Sequence, residues 1–286
     1  MTHAGTHAGF IGLGSQGAPM AQRVLDAGLP LTLWARSPAS LAAFAGTKAE
    51  LAATPAELAS VCDVVGVCVV ADADVEEVVL GPSGVMAGLR PGAVLAVHST
   101  VHPDTCRRLG ALAAERGAQV VDAPVSGGGP AAAAGKLLVM VGGESEAVER
   151  CRPVFETYGD PVVHLGPLGA GQVTKLLNNT LFTANFGIAA SALALGQQLG
   201  VEPERFAEVA GHGSAASFAL GRLAASGCDP ARLGSMAGGL LGKDVRLMGA
   251  LVDGTPAEAV LAQARTALDR MGAPLDGLDA VDAAKE

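Results

Sequence analysis

The sequence predicts an α/β fold in which a doubly wound parallel sheet is followed by an all-α domain. A length of 286 residues fits about two domains of roughly 100–200 residues each. In the first half, short apolar runs alternate with helical stretches, and no strand-like run follows His164. We place the boundary in the Gly/Pro-rich segment near Gly166, so that residues 1–165 form the sheet domain and residues 166–286 the helical domain.

Short apolar runs predict the strands of the first domain. The run Val64–Val70 is continuous and β-branched, which is typical of a parallel strand buried on both faces. Further strands are predicted at Phe10–Leu13, Leu31–Ala35, Ala93–Val97, Gln119–Asp122, Leu137–Val141 and Val162–His164. Helical stretches lie between them at Gly17–Ala27, Pro38–Phe44, Pro103–Arg116 and Glu144–Tyr158. This alternation predicts parallel strands that are joined by helices.

The second half has the pattern of helices alone. Gly169–Leu199 is predicted as one long helix that is apolar almost all round, and such a helix must be buried on every side. Shorter helices are predicted at Pro203–Ala210, Ala215–Ala225, Leu240–Val252 and Pro256–Met271. Because few elements remain to cover the long helix, we expect a second subunit to cover part of it, in a homodimer or homotetramer.

Composition and charge exclude several classes of protein. The formal net charge is −9, and no Lys/Arg cluster interrupts it. A nucleic-acid-binding protein usually carries a basic stripe, and an anionic membrane also attracts basic residues, so neither is expected as a partner. The most apolar stretch, Leu176–Leu199, is interrupted by asparagine, threonine and serine and lacks the run of about 20 apolar residues that spans a membrane.

Cysteine usage and the N-terminus predict a cytoplasmic protein without a metal. The five cysteines are odd in number and form no C-x-x-C pair, which indicates neither a disulfide framework nor a zinc cluster. The N-terminal sequence MTHAGTHAG has neither the basic residues nor the apolar core of a secretory signal. His98 and His102 are four apart, but Pro103 follows at once, which favours a loop or helix start over a metal site.

A glycine motif predicts a dinucleotide site. The sequence G-x-G-x-x-G directly follows the first predicted strand and opens the first predicted helix, which is the context that this motif requires. Its glycines allow a tight turn, close approach of a pyrophosphate and packing of the helix on the strand. The helix N-terminus then attracts the phosphates. The predicted cofactor contacts here are Gly12, Leu13, Gly14, Ser15, Gln16 and Gly17.

The end of the second strand indicates which dinucleotide binds. A carboxylate there would bind the ribose 2′-hydroxyl of NAD, but this chain has Ala35 followed by Arg36 and Ser37. A guanidinium can pair with a 2′-phosphate, and a serine hydroxyl can add a hydrogen bond. NADP is therefore predicted in preference to NAD, with NAD still possible. Val70, at the end of its predicted strand, is included among the cofactor contacts.

Two segments carry candidate chemistry. In the first, Ser126 and the backbone N–H groups of Gly127 and Gly128 follow a strand and could hold a substrate carboxylate, although a plain turn is the alternative. In the second, Lys175 and Asn179 share one face of the long helix. A lysine on so apolar a helix is expected to lose solvation, which favours its neutral form. A neutral amine can accept the proton of a hydroxyl, whereas a buried structural lysine is the alternative.

A third segment contains a charged pair. Lys243 could reach the cofactor from the helical domain, and Asp244 could contact substrate or orient Lys175 or Lys243. A surface pair of adjacent charges is the alternative. No motif for nucleic acid or for a metal accompanies these residues.

Together these motifs resemble the β-hydroxyacid dehydrogenase family, which includes 3-hydroxyisobutyrate dehydrogenase and small semialdehyde reductases. GFIGLGSQGAPMA resembles its cofactor motif, DAPVSGG its substrate motif and GAGQVTKLLNN its catalytic motif. The resemblance implies that Thr100 lies beside the nicotinamide, that Lys175 is the catalytic acid/base with Asn179 as partner, and that Lys243 contacts the cofactor. It also implies a Rossmann domain with a helical domain, and hydride transfer between NAD(P) and a small 3-hydroxy acid or semialdehyde.

Some residues depart from the family pattern. Gln16 replaces the usual methionine, Ala35 the usual Asp or Asn, and Phe218 a common tryptophan, while Gly129-Pro130-Ala131 follows the substrate motif. No particular substrate is therefore implied. An imine reductase shares this architecture, but its lysine position usually holds another residue. A 6-phosphogluconate dehydrogenase would need a much larger helical domain. A non-catalytic dinucleotide-binding module would require loss of the lysine or degradation of the second domain.

Overall fold

The computed structural model describes residues 5–252, 258–273 and 275. The chain divides into two compact units, Met1–Lys175 and Leu176–Glu286. The first contains the sheet, and within the described part of the second every regular element is a helix. The long helix begins in the first unit and continues into the second, and the boundary near Gly166 stays a prediction.

Six parallel strands form the main part of the sheet. They are β1 (Ala8–Ile11), β2 (Leu31–Trp34), β3 (Glu50–Leu51), β4 (Val64–Val67), β5 (Val94–Val97) and β6 (Gln119–Asp122). Their order is β3-β2-β1-β4-β5-β6, with Ala8 of β1 opposite Leu31 on one side and Val64 on the other. The strand order reverses beside β1, so ligands are expected outside its carboxyl end. The predicted Rossmann topology is confirmed.

Three further strands extend the sheet at the β6 edge. They are β7 (Val125–Ser126), β8 (Leu137–Gly142) and β9 (Gly159–Gly166). β8 runs antiparallel to β6 and β7, and β9 runs parallel to β8. Only two residues separate β6 from β7. β8 follows β7 after ten residues, fewer than a crossover to a parallel strand needs, so β8 pairs antiparallel with both strands, which is not predicted from the sequence.

Helices cover both faces of the sheet. In chain order they are α1 (Gly17–Asp26), a 3-10 helix (Pro38–Phe44), α2 (Pro55–Val61), α3 (Asp72–Leu80), α4 (Val85–Gly88), α5 (Pro103–Ala114), α6 (Gly128–Ala133) and α7 (Ser145–Tyr158). Successive residues of β1 enter different apolar clusters: Phe10 packs with Tyr158 on one face, and Ile11 with Leu109 on the other. This alternation confirms a doubly wound sheet.

The second unit packs its helices around one apolar core. The elements are α8 (Ala170–Gln198), α9 (Pro203–His212), α10 (Phe218–Ala225), α11 (Pro230–Val252) and α12 (Glu258–Arg270). Phe186, Leu223 and Leu268 are among its fully buried residues. Across the described residues, no helix has the length and apolar character to cross a membrane.

Some predicted boundaries are wrong. β4 ends at Val67, so Val70 lies outside it and is exposed. The helix predicted from Leu240 begins ten residues earlier, at Pro230. Glycines weaken the helical pattern of this segment, so its start is not predicted. In the structure, Gly234 lies so close to the Met271 carbonyl that a Cβ would overlap it. These glycines serve close helix packing. The start predicted at Pro256 lies outside the described residues.

Candidate active site

The dinucleotide loop after β1 has the geometry that its glycines require. Gly12 has φ +92°, and a Cβ there would overlap the Cys68 carbonyl oxygen. A Cβ on Gly17, the first residue of α1, would overlap the carbonyl oxygen of Gly12. At Gly14, by contrast, a Cβ would meet no described atom within 4 Å. The open space at Gly14, beside the start of α1, fits a pyrophosphate.

A pocket of about 230 Å³ lies beside this loop. Predicted cofactor residues Gly12, Leu13, Gly14, Arg36 and Ser37 line it, together with Trp34 and Ser40. Its position past the ends of β1 and β2 fits the adenosine half of a dinucleotide. Val69 lines this pocket, whereas Val70, Thr100 and Lys243 do not.

Two carboxylates from α3 contact the Arg36 guanidinium. Nη1 of Arg36 lies 3.3 Å from Oε2 of Glu77, and Nη2 lies 3.6 Å from Oδ1 of Asp74. Both carboxylates line the same pocket. Neither carboxylate is among the predicted cofactor contacts, since no helix is predicted at Asp72–Leu80. The short polar–apolar alternation of that helix gives only a weak helical signal.

Thr100 lies in the loop after β5, and hydrogen bonds of the residues on either side of it hold that loop in place. The Val101 N–H donates to Oε1 of Gln172 at 3.1 Å, and Nε2 of Gln172 donates to the Ser99 carbonyl at 2.8 Å. The Ser99 hydroxyl accepts the Val69 N–H at 2.8 Å. Gln172 is fully buried. A single side chain therefore fixes the loop that carries Thr100 to the start of α8.

Asp122, at the end of β6, holds the first turn of α8. Its Oδ1 accepts the Gly169 N–H and its Oδ2 accepts the Gln172 N–H, both at 2.6 Å. A carboxylate at a helix N-terminus also interacts favourably with the helix dipole. Burial raises the pKa of Asp122, and these N–H hydrogen bonds oppose that rise. Lys175, only 8% exposed, lies one turn further along this fixed helix.

The predicted substrate loop packs on the dinucleotide loop. Gly127 and Gly128 have φ +129° and +72°, which favour glycine at both positions. A Cβ on Gly129 would lie 2.6 Å from the carbonyl oxygen of Ser15. Ser126, at the end of β7, is half-buried. The structure thus brings the candidate carboxylate site and the cofactor motif together, and the unusual Gly129 makes that contact possible.

Within the second unit, Asn179 and Lys243 share one carboxylate. Nδ2 of Asn179 donates to Oδ2 of Asp244 at 2.6 Å, and Nζ of Lys243 donates to Oδ1 at 2.8 Å. The Lys243 and Asp244 side chains are 17% and 6% exposed, so this is a largely buried pair and not a surface pair. Asn179 is on α8 four residues after Lys175, on the same face of that helix.

His98 and His102 both have structural contacts. His98 is buried, which lowers its pKa to about 4. The neutral ring donates from Nδ1 to the Ala123 carbonyl at 2.7 Å and accepts the Tyr158 hydroxyl at Nε2 at 3.1 Å. His102 caps α5, as its Nδ1 accepts the Asp104 N–H. Among the described residues, no group of three or more His, Cys, Asp or Glu side chains could hold a metal ion.

Comparison with family models decides the family. Residues 7–166 match the model of the NAD-binding domain of 6-phosphogluconate dehydrogenase. Residues 169–284 match the model described as NAD-binding of NADP-dependent 3-hydroxyisobutyrate dehydrogenase. The chain belongs to the 3-hydroxyisobutyrate dehydrogenase family. Members of this family are NAD(P)-dependent oxidoreductases that act on hydroxy acids, and this chain is an enzyme of that kind.

Relatives and solved structures place the chain within this family. It is 40% identical to the NAD-dependent L-serine dehydrogenase of Pseudomonas aeruginosa, over 74% of this chain and 71% of that protein. It is 36% identical to the 3-hydroxyisobutyrate dehydrogenase of the same organism, over 75% and 72%. The structure of Mycobacterium tuberculosis 3-hydroxyisobutyrate dehydrogenase with L-serine matches with a TM-score of 0.80 at 26% identity, covering 98% of this chain and 99% of that one.

Family membership accounts for the motifs but not for every residue of the site. Asp122 and Gln172 were visible in the motifs DAPVSGG and GAGQVTKLLNN, yet neither was singled out for a role. Their partners lie 47 to 73 residues away along the chain. No local signal indicates the role of Asp122, because the helix start that it binds lies 47 residues later in the chain.

Proposed function

We propose that this enzyme moves a hydride between NAD(P) and a small 3-hydroxy acid or the corresponding semialdehyde, with Lys175 as general acid/base. The observation that carries the proposal is the buried hydrogen-bond network in which Gln172 joins the Thr100 loop to the helix of Lys175. Such a network fixes the reacting groups before substrate arrives. L-serine and 3-hydroxyisobutyrate, the substrates in the relatives' names, both carry a carboxylate and a β-hydroxyl.

The roles follow from the chemistry of each side chain. Ser126 and the N–H groups of Gly127 and Gly128 hold the substrate carboxylate, beside the cofactor loop. During oxidation, the bound nicotinamide supplies the hydride acceptor. The amine of Lys175 takes the hydroxyl proton as the carbinol carbon becomes a carbonyl, and its ammonium returns the proton in the reverse direction. Asn179 hydrogen-bonds the same hydroxyl.

The remaining proposed contacts belong to the cofactor and to the second unit. Thr100 lies beside the nicotinamide ring, and Lys243 contacts the cofactor. Asp244 faces the substrate and holds the side chains of Asn179 and Lys243, which its two hydrogen bonds support. Arg36 and Ser37 line the adenosine pocket and support binding of the 2′-phosphate of NADP, with NAD as the second cofactor.

An exposed apolar stripe supports a homo-oligomer. Leu177, Leu181, Ile188 and Leu195 of α8 are 51–57% exposed. Their spacing places them within about 40° of one another on the helix. An apolar stripe of this kind marks an interface. We propose that a second copy covers it in a homodimer, which could pair further into a homotetramer.

The five cysteines are free thiols, which is typical of a reducing compartment and supports the cytoplasm as the location.

Substitution within the stripe tests the oligomer. Leu181→Glu should give monomers in size-exclusion chromatography with light scattering, because a buried unpaired carboxylate opposes association. Glu208→Gln, at an exposed residue of α9, should keep the oligomer of the unchanged chain. Monomers in the unchanged chain would contradict the proposal.

Turnover of a substrate panel tests the function. NADPH and NADH consumption is followed with small semialdehydes and, in parallel, cyclic imines. We expect turnover of a semialdehyde bearing a carboxylate. Turnover of imines alone would keep the fold and cofactor but remove Lys175 from its assigned role. Tight cofactor binding without turnover of any compound would instead indicate a dinucleotide-binding module.

A further inference from the structure

The charge of the adenosine pocket is opposite to what a 2′-phosphate requires. Of the residues that line it, Arg36 is the cation, while Asp74 and Glu77 are anions, so the formal charge of the wall is +1 − 2 = −1. Arg36 is the residue that would pair with a 2′-phosphate, yet both carboxylates already contact its guanidinium. A phosphate would have to displace them and then remain close to two like charges.

We propose that Glu77, supported by Asp74, determines cofactor specificity by opposing the 2′-phosphate, so that the enzyme uses both NADP(H) and NAD(H). This inference deepens the proposed cofactor site and rests on Arg36 lining it. NAD presents a 2′-hydroxyl, which can donate a hydrogen bond to a carboxylate. Because position 35 is alanine, the carboxylates that reach this pocket come from α3 and not from the end of β2.

The two acids differ in how far they can move. One oxygen of Asp74 accepts the Ala71 N–H at 3.1 Å, which ties this side chain to the start of α3. Glu77 is 67% exposed and contacts the Arg36 guanidinium. Its carboxylate is therefore free to turn from the guanidinium towards the cofactor. Exposure to water also limits the size of the effect, since exposed charges are screened.

Glu77→Gln is consequently the variant that isolates this charge, and its neighbour offers a matched control. Glu76 is on the same helix, is 40% exposed and pairs with Arg108, but it does not line the pocket. Glu76→Gln removes the same charge from the protein one residue away. Arg36→Ala tests whether the 2′-phosphate is recognised at this position.

Dissociation constants of NADPH and NADH, measured by nicotinamide fluorescence without substrate, test the proposal. Removal of one carboxylate from the pocket wall that would face a dianion in a screened site should tighten NADPH binding by about three- to tenfold. NADH should bind unchanged or more weakly, Glu76→Gln should keep both constants within about twofold, and Arg36→Ala should weaken NADPH selectively. Higher salt should reduce the difference in the NADPH dissociation constant between Glu77→Gln and the unchanged protein.

The outcomes separate clearly. The proposal is supported if Glu77→Gln changes the ratio of the NADPH and NADH dissociation constants by more than about twofold in favour of NADPH. A ratio that stays closer to that of the unchanged protein, or moves towards NADH, overturns it, as does a protein that binds neither dinucleotide. Because no substrate is present, failure of this inference is distinct from failure of the proposed reaction, which the semialdehyde panel tests.

Discussion

The two ends of the cofactor-binding edge of the sheet are built in different ways. At the start of α8, Asp122 and Gln172 are fully buried and make short hydrogen bonds to backbone groups. At the adenosine pocket, Arg36 and Glu77 are 73% and 67% exposed, and their ion pair lies in water. Proton and hydride transfer need reacting atoms held within fractions of an ångström, whereas choosing between two cofactors needs only a difference of charge.

The buried end should tolerate change least, and Lys175→Ala is its most severe test. Loss of a general acid/base should lower kcat by about 100-fold or more, while NADPH binding stays close to that of the unchanged enzyme. Lys136→Ala, at an exposed lysine paired with Asp160, provides the control for loss of a positive charge. Near-normal turnover in Lys175→Ala would remove this residue from the mechanism.

The free energy of unfolding should also depend on acid pH, because the buried His98 precedes the Thr100 loop at this end. Its folded pKa is about 4 against an ordinary 6.5, so the unfolded chain binds the proton first between these values. Stability present above pH 6.5 is therefore lost as the pH falls towards 4, by about 3 kcal/mol in all.

Urea unfolding of His98→Asn across this pH range checks that expectation. The variant should lose this part of the pH dependence even if it is less stable throughout, whereas His102→Asn, with asparagine as a helix cap, should retain it. An unchanged slope in His98→Asn would contradict the assignment.

Gln172→Ala should have a smaller effect than loss of Lys175. The loop that carries Thr100 would lose both hydrogen bonds, so kcat should fall by about tenfold with a smaller change in KM for cofactor. Gln172→Glu keeps the acceptor for Val101 but sets a carboxylate oxygen against the Ser99 carbonyl, so its kcat should be no higher than that of Gln172→Ala. Equal kcat values for both variants and the unchanged enzyme would show that Gln172 is only structural.

The same contrast explains what the sequence could predict. The glycine motif, the buried strands and the positions of Lys175 and Arg36 follow from local signals, because turn geometry and apolar runs depend on neighbouring residues. Glu77 is 41 residues from Arg36, and Gln172 is 73 residues from Ser99. These contacts depend on the order of strands in the sheet, which no local pattern specifies. Glycines near Gly234 serve helix packing, and because they weaken the helical pattern, the start of α11 was not predicted.

The most direct test measures Gln172→Ala and Glu77→Gln side by side, with both cofactors and one substrate of the panel. Gln172→Ala should lower kcat equally with NADPH and NADH and keep the ratio of the two kcat/KM values. Glu77→Gln should move that ratio towards NADPH. A Gln172→Ala enzyme that shifts the ratio, or a Glu77→Gln enzyme that lowers kcat as Gln172→Ala does, would contradict a fixed reaction end and an adjustable adenosine end.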